Sequence, residues 1–129
     1  MLNKSGVTKT TGAAPAQILA NVDLQSSVGC IVPKSIGVAV GDKTIVKAGT
    51  PVNINLSNLQ TAAKLAIATG ADMNAVILHD VDVTAGNANA TALIFGFINL
   101  NRIDATTQGK IATALTAAGA SKLLTFMKV

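Results

Sequence analysis

Four consecutive residues, His79-Asp80-Val81-Asp82, set the chain's only imidazole beside two carboxylates. Imidazole and carboxylate oxygens together suit a divalent metal or acid–base work. The spacing argues against both. Successive side chains of a strand point to opposite faces, so His79 and Asp80 point apart. Asp80 and Asp82 share a face, and Asn87 and Asn89 across the following loop are further oxygen donors. The run nevertheless matches neither an EF-hand nor a zinc motif. The plainer role is that the aspartates accept hydrogen bonds from backbone N–H groups in a turn and keep a sheet edge soluble.

Nucleophilic chemistry has less to work with. Cys30 is the only thiol, glutamate is absent, and no Gly-x-Ser-x-Gly elbow occurs. A Cys30–His79 dyad is the one pairing left open. A lone cysteine makes no internal disulfide, which suits a reducing compartment, and reads more simply as a small buried side chain. The glycines form no phosphate-binding loop. We expect no catalytic residue, no metal and no cofactor.

The elements that carry these residues centre on 74–102. Ala75-Val76-Ile77-Leu78, followed by the alternation Asp80-Val81-Asp82-Val83, and the apolar run Thr91 to Leu100 lie on either side of a polar loop with Gly86, Asn87 and Asn89. Their β-branched and aromatic content reads as two strands, most simply an antiparallel hairpin. Upstream, Val28 and Ile31-Val32 precede Pro33, and Ile36 to Val40 is a strand candidate. Gly41-Asp42-Lys43 turns into a short strand over Thr44 to Lys47, and Ala48 to Pro51 is a loop. Val52-Asn53-Ile54-Asn55-Leu56 alternates as a half-buried strand does. Residues 57–69 read either as an Ala-rich helix capped by Ser57 or as a further strand from Lys64 to Ala68. Downstream, Asp104 is a natural N-cap for a helix over Ala105 to Ala118, with Ile111, Leu115 and Ala118 on one face and Gly119 as its stop. Lys122 to Val129 reads as a final strand that must pair into the sheet to persist.

The pattern predicts a mainly β (α+β) protein with one or two short helices, either barrel-like or a sandwich. It divides into an arm over 1–20 and one β-rich domain over 21–129, which is a single-domain length. The arm is rich in Lys, Ser, Thr, Gly, Ala and Pro, and reads as a frayed terminus or as a segment that orders on a partner. Half of the 129 residues are apolar, only 12% are charged, and Trp and Tyr are absent. So little charge suggests that another subunit covers some apolar surface. The formal charge of +4 comes from singly scattered Lys and Arg, without the basic clusters or aromatic platforms of nucleic-acid binders. No apolar run approaches the roughly 18 residues of a membrane span, and no signal peptide is legible, so we expect synthesis in the cytoplasm and no membrane partner.

Several phrases, in order, resemble a known group. Ala48-Gly49-Thr50-Pro51, the run Ala75 to Thr84, the loop Gly86-Asn87-Ala88-Asn89, the strand Thr91 to Asp104, and Leu124 to Val129 after a helix look like phage head fibre or capsid decoration proteins. These belong to the wider group of lambda-type head decoration proteins. The likeness covers roughly residues 36–129. It implies a β-rich homotrimer on the outer surface of an icosahedral virion head that cements the major capsid protein after shell expansion. It also implies an N-terminal arm reaching the capsid lattice. On that view Leu2, Lys4, Val7, Lys9, Ile18 and Leu19 are candidate capsid contacts, and Phe95, Phe97 and Phe126 are candidates for subunit packing. A receptor- or glycan-binding fibre module is the alternative, although such modules use aromatic platforms that this chain lacks.

Overall fold

A computed structural model describes residues 17–54, 67–68, 73–116, 120 and 122–129. Its longest strand, β8 (Ala88–Asn99), is the second apolar run of the central stretch. Strand formers, among them Thr91, Ile94, Phe95 and Phe97, make the extended state favourable there. Three strands pair with it: β1 (Ser26–Val32) antiparallel, β6 (Ala75–Ile77) antiparallel and β9 (Leu124–Met127) parallel. Beyond β6, the strand β4 (Pro51–Asn53) and the two-residue β5 (Ile67–Ala68) complete a six-stranded sheet in the order β1-β8-β6-β4-β5. The amide of Asn74 extends β4 by one residue, donating to the Ile54 carbonyl at 2.8 Å and accepting its N–H at 2.9 Å.

A second sheet holds β2 (Val38–Val40), β3 (Lys43–Val46) and β7 (Val81–Asp82), with β3 in the middle. β2 and β3 form a hairpin closed by Gly41-Asp42, where Gly41 takes the left-handed φ of 64° that such tight turns require. Each face of the large sheet is packed. Ala75 and Ile77 of β6 join Val32, Val46, Val83 and Ala92 in a cluster between the two sheets. Val76 and Leu78, one residue out of phase, join Leu93, Ile98 and Ile111 in a cluster under the helix α1 (Ala105–Leu115). Strands buried on both faces read as continuous apolar runs, which is why β6 and β8 show so little alternation. The helix follows from topology: parallel strands need a crossover, and α1 joins β8 to β9.

The result is the mainly β fold with one helix that the pattern predicted, and the two sheets are open rather than closed into a barrel among the described residues. Several details differ. The hairpin of 74–102 is only half formed. β6 pairs with β8 at Val76↔Leu93 and Ile77↔Ala92, but the chain then leaves the sheet and Val81–Asp82 pairs with β3 instead. Ile36 and Gly37 are not strand. Lys34–Ile36 forms a 3-10 turn after Pro33, and β2 begins at Val38. The buried face of α1 is Thr107, Ile111 and Ala114, while Leu115 is 43% exposed. Asp104 occupies the N-cap without a side-chain bond. Gln108 ties the helix start instead, its amide donating to the carbonyls of Leu100 and Ile103 at 2.7 and 2.8 Å. Of the ambiguous stretch 57–69, only 67–68 is described, and it is strand. The expected stop at Gly119 and the helical position Ala118 lie outside the described residues.

The arm boundary also moves. Ile18 and Leu19 are buried in the helix-side cluster rather than exposed on an arm. Leu19 bridges to Ile98, Ala20 N–H donates to the Phe97 carbonyl at 2.9 Å, and Asn99 N–H donates to the Ile18 carbonyl at 2.8 Å. Two adjacent apolar side chains on a backbone paired to β8 are core, so neither is available as a capsid contact. No described helix is long and apolar enough to cross a membrane.

Candidate functional site

The side chains with the most chemistry are occupied by the turns that carry them. Asp80 Oδ1 accepts the Ala48 N–H at 2.8 Å, and Asp82 Oδ1 accepts the Thr84 N–H at 2.9 Å. Thr84 also hydrogen-bonds Asp82 through its hydroxyl, and its Oγ1 accepts the Thr44 N–H at 2.9 Å. These bonds, the hydroxyl's first, hold the Asp82 carboxyl below its ordinary range. Both aspartates thus do the plainer job expected of them. Asn87 Oδ1 accepts the Lys34 N–H at 3.3 Å, and Asn89 stands opposite Ile31 on β1, so neither asparagine builds an oxygen cage with them. His79 is exposed, whereas Cys30 is buried in the cluster between the sheets, where burial pushes its thiol pKa up. The structure does not assemble them into a dyad. Among the described residues no three His, Cys, Asp or Glu side chains gather as metal ligands.

A groove of about 630 Å³ lies between α1 and the start of β2, lined by Ile36, Val38, Pro51, Thr106, Lys110 and Thr113 among others. The hydroxyls of Thr50 and Thr113 are already spent on the carbonyls of Lys47 and Gly109. The groove offers apolar walls, the hydroxyls of Ser35 and Thr106 and one ammonium group.

The most distinctive surface is apolar and surrounds Gly96. Phe95 is 39% exposed, and Val22, Leu24 and Leu123 are 55, 53 and 56% exposed. The backbone around Gly96 brings Leu24, Phe95 and Leu123 together, and Val22 lies two residues before Leu24. Gly96 N–H donates to the Leu123 carbonyl at 3.2 Å, and a Cβ placed on Gly96 would lie 3.4 Å from the Leu24 carbonyl. Phe95 turns outward because β8 carries one extra residue here: Ser27 pairs with Leu93 while Ser26 pairs with Phe95. Such a bulge reverses the alternation. Before it, Ala88, Ala90 and Ala92 face the other sheet; after it, Ile98 and its partner Phe126 face the helix side. Gly96, at φ 154°, accommodates the irregularity. Phe97 and its partner Thr125 then look the opposite way, where Phe97 is half-buried and Thr125 exposed.

The three phenylalanines therefore separate. Phe95 belongs to the exposed surface, Phe97 is at its margin, and Phe126 packs against the helix-side cluster. Leu2, Lys4, Val7 and Lys9 lie outside the described residues. Sequence reasoning missed Val22, Leu24 and Leu123. The signal for Leu123 was present, because adjacent residues of an expected strand over 122–129 point to opposite faces, so Leu123 and Leu124 do not share one core. Gly96 within an apolar run was the corresponding signal for the bulge. Compared with known proteins, the chain matches no family model, no curated protein and no solved structure.

Proposed function

We propose that this chain is a structural protein that works through its surfaces and catalyses no reaction. It assembles with copies of itself, as a homotrimer, through the apolar surface around Phe95, and decorates the outside of a phage head by binding the major capsid protein. It is made in the host cytoplasm and resides on the virion. The observation that carries the assembly half is the exposed group Val22, Leu24, Phe95 and Leu123 on a chain with only 12% charged residues. Contiguous apolar surface on a small protein marks an interaction site, and closed symmetry is the usual way to cover it. The capsid half rests on the likeness of residues 36–129 to head decoration proteins.

Native mass by light scattering at two concentrations tests the first half. A mass of three chains, or a multiple of three where a second contact joins trimers, is expected at both concentrations, reduced in Phe95→Lys with the thermal unfolding midpoint little changed. A monomer at both concentrations would defeat it. The second half is tested with expanded empty capsids and a chain lacking residues 1–16. The deletion stops at 16 because Ile18 and Leu19 are core. The shortened protein is expected to remain folded and oligomeric and to lose capsid binding; binding that survives removes the arm's role.

A further inference from the structure

The edge strand β1 differs from every other outer strand. It runs seven residues, against four for β9, three for β2 and two each for β5 and β7. Its sequence, Ser26-Ser27-Val28-Gly29-Cys30-Ile31-Val32, has no charge and no proline, and among the described residues it pairs only with β8. Proteins ordinarily shield such edges with lysines, prolines or shortness, because the unpaired N–H and C=O groups accept any strand laid beside them. The four-residue β9 is protected in that way, by Lys122 and Lys128. β1 is not.

We propose that β1 pairs antiparallel with β1 of a second copy across a two-fold axis at Gly29. This register alone matches all seven residues, setting Val28 opposite Cys30, Ser27 opposite Ile31 and Ser26 opposite Val32 of the other copy. Charge supports it. Exposed Asp23 lies just before the strand and exposed Lys34 just after it, so antiparallel pairing brings Asp23 of each copy towards Lys34 of the other at both ends. In this register Asp23 stands opposite Ser35 of the other copy, one residue from Lys34. The axis falls on a glycine, and a Cβ added there meets nothing within 4 Å in its own chain. Pairing also covers Ile31, which is 36% exposed. It sets half-buried Val28, which packs on the cluster between the sheets, opposite buried Cys30 of the other copy. The contact uses a sheet edge, whereas the Phe95 contact uses a sheet face, so one copy can make both. It does not rest on the capsid reading, and its test needs no capsids.

The test is a self-cross-link in purified protein. Gly29→Cys in a Cys30→Ala background is oxidised mildly, with Asp42→Cys in the same background as an exposed control. A disulfide-linked pair is expected at position 29 at least about tenfold faster than at 42, since only residue 29 meets itself. Charge exchange supplies the second arm at low salt. Asp23→Lys and Lys34→Asp alone each slow the cross-link several-fold, and together they restore it, as reciprocal charge pairs do. Thermal unfolding of each variant confirms that it is folded. Equal rates at 29 and 42, or a double variant no better than the singles, would overturn the proposal. So would cross-linking that vanishes when residues 1–16 are removed, which would assign the edge to that segment instead.

Discussion

The two faces of the six-stranded sheet are filled by different kinds of side chain. Under the helix, long ones dominate: Ile18, Met73, Leu93, Ile98 and Ile111. Between the sheets, short and β-branched ones do: Cys30, Val46, Val52, Ala75 and Ala92. The reason is the shape of the cover. A helix presents one stripe, here Thr107, Ile111 and Ala114, and two of those three are short, so the sheet must supply the bulk. An opposing sheet contributes its own row of side chains across a gap of about 10 Å, so each side needs only half the reach. The helix-side face is also closed by the ends of the described chain, through Ile18, Leu19 and Leu124, while the other is closed by its middle, through Val46 and Val83.

Truncation gives the largest contrast. Ile98→Ala on the helix side should cost roughly 3 kcal/mol, or about 10 °C in Tm, from the lost methylenes and the cavity left behind. Val46→Ala between the sheets removes less volume and should cost about 2 kcal/mol. Denaturant unfolding of both variants checks the order, and equal losses would mean that the faces pack alike. A smaller effect comes from Cys30, which reports on one face alone. Burial keeps its thiol pKa above the ordinary value of 9.0, so the folded state binds the proton more tightly than the unfolded one. The stability this contributes is fully present below pH 9.0 and is lost as pH rises through the folded value. Cys30→Ala should flatten that alkaline decline, measured as Tm against pH. The smallest effect lies outside both clusters. The Asp82 carboxyl is held below its ordinary 3.8, so its contribution is present above pH 3.8 and fades as pH falls through the folded value. Thr84→Val removes the hydroxyl bond, and the Asp82 titration followed by NMR should move up towards 3.8.

The contrast also explains what the sequence made legible. β8, β9 and α1 were readable because apolar content and a helix-forming run are local signals, and Asp104 marked the helix start. The Gly41 turn was readable because only a few residue types tolerate its backbone. Val81–Asp82 was misjudged as a continuation of the hairpin. Its partner is β3, far off in the chain, and alternation alone cannot say which strand a segment joins. Ile18 and Leu19 looked like part of an arm for the same reason, since two apolar residues after a polar stretch have no period to read. Leu115 was placed on the buried face of α1, where Ala114 stands instead beside Thr107 and Ile111. The apolar surface was half legible: the phenylalanines were visible as residues, but their directions depend on one extra residue in β8.

The first and last described segments flank the same short part of β8. Residues 18–20 bond to Phe97 and Asn99 from one edge, and Leu124–Met127 pairs with Gly96–Asn99 from the other. On the ribosome, β8 emerges before β9, so the sheet's central strand stays half open along Gly96–Asn99 until β9 is free to pair. Pairing along Gly96–Asn99 is therefore a late step in assembling the sheet, whichever part of it forms first.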